Sequence, residues 1–156
     1  MQVDEIAVSG ELLEAALHHW QSLCGENRSL PRPADLDPVT IPRQVLPNSE
    51  LVEVLSDPLD FRYRLIGTAI YSISHSSYSG LRVREIPTQA PPSRMFDFFA
   101  LACQRAAPLC ARLPYIGPDS FVESIRNLLL PFGEDADKVS LFWSVVEIDR
   151  WNPGQA

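Results

Sequence analysis

The sequence predicts an α+β domain built on five strands, and three observations predict it. Long amphipathic helical stripes fall at 9–24 and 93–107. Short Val- and Leu-rich segments bounded by turn residues occupy 50–66 and the last third of the chain. At 156 residues, 46% of them hydrophobic, the chain is long enough for one self-supporting core and too apolar for disorder.

Each element has its own signal. In SGELLEAALHHWQSLC, residues 9 to 24, the residues Leu12, Leu13, Ala16, Leu17, Trp20, Leu23 and Cys24 form one apolar stripe. Ser9 is the expected N-cap and Gly25 the expected stop. The stripe either packs on its own domain or pairs with a partner helix; Leu13, Leu17 and Trp20 are its candidate interface residues. Residues 31–47 carry Pro31, Pro33, Pro38, Pro42 and Pro47, which rule out a long regular element. Short helical turns are expected there, one capped by Asp35 or Asp37, with Ile41, Val45 and Leu46 anchoring the segment to the core.

Residues 50–57 read as a first strand and 60–66 as a second, in which Phe61, Tyr63 and Leu65 share one face and Arg62 and Arg64 the other. Asp57-Pro58 with Asp60 is a turn signal, so the two form an antiparallel hairpin. Thr68 caps a short helix ending near Ser74, LRVREI holds another helical piece, and Pro87–Pro92 is a loop. In the helix at 93–107, capped by Ser93, the residues Met95, Phe96, Phe99, Ala102, Cys103 and Ala106 share a face. Strands follow at 109–116, 120–130 and 139–149, with a turn at 131–135. No internal repeat appears, so 1–156 reads as one domain with a core at about 50–149.

Composition excludes several function classes. The net charge of −7 repels phosphate backbones and anionic lipid, so neither nucleic acid nor a membrane is an expected partner. No run approaches the ~20 apolar residues of a membrane span. The start of the chain lacks the basic region of a signal peptide, so a cytoplasmic protein is expected. Cys24, Cys103 and Cys110 are odd in number and widely spaced. They read as free thiols rather than a disulfide framework or zinc site.

Four stretches in the observed order carry a resemblance: HHWQSLCGE, LPRPADLDPVTIP, DFRYRLIGTAI and NLLLPFGED. They resemble the successive signatures of a PAS-domain family widespread in alphaproteobacteria: W-x-S-L/R, P-x-x-x-D-x-D-P, F-R-Y-R-L-x-G-T and R-L-L-L-P-L. The resemblance spans about residues 12 to 148. It departs at Asn127, where the family reads Arg, and in the proline-rich stretch after Gly80. It implies a five-stranded antiparallel sheet in the order 2-1-5-4-3, with helices over one face and the N-terminal helix as an addition. It also implies a regulatory sensor or interaction domain that binds a small ligand or signalling protein partner and relays it by protein contact. The rival is a ligand-free structural or localising adaptor with a filled core.

The Asn-Cys-Arg motif of covalent flavin sensors is missing, and the long helix offers no His to a haem. His75 in SHSSY reads as a turn residue. His18 and His19 point about 100° apart on a helix and do not chelate one metal. Ser74, His75 and Ser76 lack a nucleophile elbow, and turn chemistry accounts for Asp57 with Asp60. No cofactor and no enzymatic activity are therefore expected; an enzyme would need a pocket holding a carboxylate or His of perturbed pKa. Arg62 and Arg64 read as partners of Glu50, Glu53 or Glu147 on the outer face. Tyr63, Leu65, Phe99 and Trp143 are the candidate lining of a ligand cavity.

Overall fold

In the computed structural model, residues 3–26, 30–74 and 77–152 are described. A mixed set of short and long strands forms a single antiparallel sheet. The strands are β1 (Asp4–Glu5), β2 (Ser49–Leu55), β3 (Asp60–Ile66), β4 (Leu109–Pro114), β5 (Val122–Phe132) and β6 (Leu141–Arg150). Side by side they run β1-β4-β5-β6-β2-β3. The α+β expectation holds, but the sheet has six strands, not five. The addition is β1, whose two residues pair with Arg112 and Ala111 of β4. It covers an edge that would otherwise present unpaired backbone groups. Arg105 holds Glu5 at 2.8 Å at the same edge.

Helices lie on both faces, because both faces of the central strands are apolar. The first helix, α1 (Glu11–Leu23), lays Leu13, Ala16 and Trp20 against Cys110, Leu128, Leu130, Phe132, Trp143 and Val145. Trp20 adds a hydrogen bond from Nε1 to the Pro131 carbonyl at 2.9 Å. The proline-rich lead-in runs over this same face. Its three helical turns are 33–35, 38–40 and 46–48, the second capped by Asp37. Ile41 and Val45 anchor it, while Leu46 is exposed. The other face packs α2 (Thr68–Ser74) and α3 (Arg94–Arg105). From α3 come Phe98, Phe99 and Ala102, set against Val52, Phe61, Tyr63, Leu109, Ala111, Leu113, Leu129 and Phe142.

Several boundaries differ from expectation for local reasons. The N-cap of α1 is Gly10, not Ser9; its φ of 89° is a backbone state that glycine adopts without penalty. The helix leaves through an extended Cys24, so Gly25 supplies no left-handed stop. Ser93 does cap α3, accepting from the Phe96 amide at 3.0 Å. Pro131 and Phe132 belong to β5 rather than to a turn; Phe132 still pairs with Leu141.

The hairpin alternation fails at one residue. Leu51 pairs with Leu65 but Val52 pairs with Tyr63, so Arg64 is a bulge. A bulge inverts the faces beyond it. Phe61 and Tyr63 point to the α3 side, Leu65 turns to the other side and is 47% exposed, and Ile66 takes its place against the α3-side core.

Candidate functional site

On the α3 face, the sheet and its covering elements do not close completely. They leave a cavity of about 430 Å³, within the ~300–1,000 Å³ usual for small-molecule sites. Its floor is the sheet: Glu50 of β2, Tyr63 of β3, Leu113 of β4, Ile125 and Asn127 of β5, and Val146 of β6. Ile70 and Ile73 of α2 form one wall and Met95 of α3 another. Thr88, Pro92, Arg94 and residues 116–118 are the exposed part of the lining and mark its mouth.

The mouth is shaped by Tyr115. Its hydroxyl donates to the Ile73 carbonyl and accepts from the Asp119 amide at 2.9 Å, tying the 115–119 loop to α2. A side chain at Gly117 would meet the Tyr115 ring, so glycine there lets the loop wrap round it.

The floor carries a short polar chain. Asn127 Nδ2 donates to Ser144 Oγ at 2.8 Å, and Ser144 Oγ donates to Glu50 Oε1 at 2.9 Å. Glu50 is 7% exposed and Ser144 fully buried. Burial raises the Glu50 carboxyl from 4.5 to about 7, with the Ser144 hydrogen bond acting the other way. The Tyr63 hydroxyl donates to Gln89 Oε1 at 2.6 Å. Burial pushes that phenol well above its ordinary value, and the Glu50 charge adds to the rise.

Of the four expected lining residues, only Tyr63 reaches the cavity. Phe99 lies in the packed core, stacked on Phe61 at 5.0 Å. Leu65 is turned away by the Arg64 bulge. Trp143 is fully buried on the α1 side, where its Nε1 donates to Ser49 Oγ at 2.9 Å. Leu13 and Trp20 are buried against the chain's own sheet, and Leu17 is half-buried beside them. Arg64 pairs with Glu53 at 3.0 Å, while Glu147 pairs with Arg126. Glu50, read from sequence as an outer-face partner for arginine, instead faces the cavity.

The residues that sequence reasoning missed are Glu50, Asn127 and Ser144. One signal was present: Ser144 is the sole polar residue in Leu141–Val146, and the register sets Glu50 directly beside it. His75 lies outside the described residues. Among those described, no three His, Cys, Asp or Glu side chains gather as a metal site, and the cavity lining holds neither Cys nor His. Burial raises Cys103 to about 12 and Cys110 to about 11, which keeps both as thiols near neutral pH.

Searches against family models, curated proteins and solved structures find no match to this chain. No helix among the described residues is long and apolar enough to cross a membrane.

Proposed function

We propose that the protein is a PAS-type regulatory sensor of the cytoplasm, binding a small molecule in the cavity and relaying occupancy by protein contact. The observation that carries this reading is the cavity itself, a largely apolar space ending on a buried polar floor. A ligand-free adaptor would have filled it. The sheet order supports the PAS assignment. With the two-residue β1 set aside, the remaining strands lie as β3-β2-β6-β5-β4, the 2-1-5-4-3 order of the family the sequence resembles.

The relay would run through the sheet. Glu50 lines the cavity and Ser144 is hydrogen-bonded behind it, while their chain neighbours Ser49 and Trp143 are hydrogen-bonded to each other on the opposite face, under α1. His19 of α1 meets Trp143 edge-on at 5.7 Å. A ligand that shifts the floor therefore shifts the support of α1. The outward face of α1 carries Glu11, Glu14, His18 and Gln21, a polar surface for a signalling partner or a second copy of the chain.

A thermal-shift screen tests this reading. Ile125 is half-buried in the lining, and Ile125→Trp should fill the space. A ligand near a hundred times its Kd should raise the wild-type Tm on the order of 5 °C and leave the Ile125→Trp Tm unmoved. Compounds that shift both proteins equally would reject the cavity as the site.

A second reading has one observation behind it. A carboxyl raised to about 7 inside a cavity is also what a general acid–base catalyst requires. Incubation with a bound compound separates the two: the compound returns unchanged from a sensor, and chemically altered from an enzyme, with the alteration lost in Glu50→Gln.

A further inference from the structure

We infer that the cavity selects a ligand with a protonated amine at its head and an apolar body, the amine seated on Glu50. This rests on the small-molecule reading above and specifies the class of molecule.

The donors of the cavity floor are spent on the protein itself, and its acceptors are not. Asn127 spends its amide N–H groups on the protein: Nδ2 donates to Ser144 Oγ at 2.8 Å and to the Val145 carbonyl at 3.2 Å. Those partners fix the amide orientation and leave Oδ1 as the face without a protein donor. Ser144 spends its hydroxyl proton on Glu50 Oε1. Glu50 Oε2 receives no hydrogen bond from the described residues and is not sealed from the cavity. Tyr63 spends its proton on Gln89, which leaves its oxygen able only to accept. At the floor, the groups left for a ligand are thus oxygen acceptors.

The charge points the same way. Among the described residues, Glu50 is the only acidic one of the lining, is nine-tenths buried, and makes no ion pair. A buried carboxylate is stabilised most by a cation that also donates hydrogen bonds. The one Lys or Arg of the described lining, Arg94, is exposed. The charged donor is therefore outside and the floor's acceptors inside, while Gln89 and Tyr78 are neutral donors of the lining. An ammonium head suits the floor, and Ile70, Ile73, Met95, Leu113, Ile125 and Val146 suit the apolar body. A carboxylate head seated there would lie against the Glu50 carboxylate, with no cation beside it in the described lining.

Isothermal titration at pH 8 with three probes of one shape tests this: 2-phenylethylamine, 2-phenylethanol and phenylacetate. A straight-chain set, butylamine, butanol and butyrate, guards against misfit of the ring. In at least one set the amine should bind about tenfold or more tighter than the alcohol, and the carboxylate should not bind. In Glu50→Gln, shown folded by circular dichroism, amine and alcohol should bind equally. A preference for alcohol or carboxylate overturns the inference, as does an amine preference that survives Glu50→Gln. Binding by none of the six probes overturns it too. In any of these cases the broader sensor reading stands or falls separately, on whether the isolated protein carries a bound molecule.

Discussion

Glu50 places a pH dependence in the fold. Unfolded, its carboxyl ionises near 4.5; folded, it does so at about 7. Between these values the native state keeps a proton that the unfolded chain has lost. Stability therefore falls as pH rises from 4.5 through about 7, and the full cost, on the order of 3 kcal/mol, persists above that. Sharing the cavity with Glu50 are the phenols of Tyr63, Tyr78 and Tyr115 and the exposed Arg94; α2, β5 and β6 add no ionisable described residue to the lining. Urea melts at pH 5 and pH 8 should show Glu50→Gln gaining on the wild type at pH 8 and losing that advantage at pH 5. A gap that does not change with pH would remove Glu50 as its source. Gly67 makes a second prediction at this scale. A Cβ there would lie 2.2 Å from the Pro47 carbonyl oxygen, which is backbone and cannot swing aside. Gly67→Ala should cost more than about 2 kcal/mol in the same melts.

At the scale of elements, α1 is part of the domain's closure. Its stripe covers the sheet face that holds Trp143, and Trp20 is both buried and hydrogen-bonded there. Trp20→Ala should cost about 3–5 kcal/mol in urea melts. Were α1 only an oligomer seam, the same change would alter the sizing-column profile and leave the melt in place. The stripe itself was plain in the sequence, since Leu13, Ala16 and Trp20 recur at helical spacing. What it packs against was not, because periodicity identifies a face and not the partner of that face. The hairpin divides the same way. Phe61 and Tyr63 alternate with Arg62 as read, but the bulge at Arg64 depends on how Leu51 and Val52 are paired across the strand. A single strand carries no record of that register. Trp143 was misplaced for a related reason. Leu141–Val146 is apolar on both faces, so alternation gives no direction there.

Across the whole molecule, the sheet separates two packed regions with different work. The α1 side is packed around Trp20 and Trp143, and its one described opening is a shallow polar depression beside the segment that leads into α1, lined by Ile6, Ser9, Arg112, Arg126 and Asp149. The α3 side is closed around Phe61, Phe98, Phe99 and Phe142 and open beside them, where α2, the 115–119 loop and the start of α3 stand apart. That asymmetry is what makes a sensor reading physical: one face binds, the other supports the helix that reports. The site was far less legible than the fold, because its polar groups come from β2, β5 and β6. Glu50, Asn127 and Ser144 are distant in the chain and meet only through strand pairing. Occupancy should also reach Trp143. Its fluorescence, followed in Trp20→Phe and Trp151→Phe backgrounds, should change when the cavity fills, whereas a spectrum insensitive to a bound ligand would break the proposed route through the sheet.

The central claim is that the cavity is a ligand site. Native mass spectrometry of protein purified without denaturation, from the organism or lysate that makes it, tests this most directly. The account predicts a co-purifying small molecule on the wild type that is released on unfolding and absent from Ile125→Trp. A wild-type mass equal to that of the bare chain, or a bound molecule retained equally by Ile125→Trp, would contradict it.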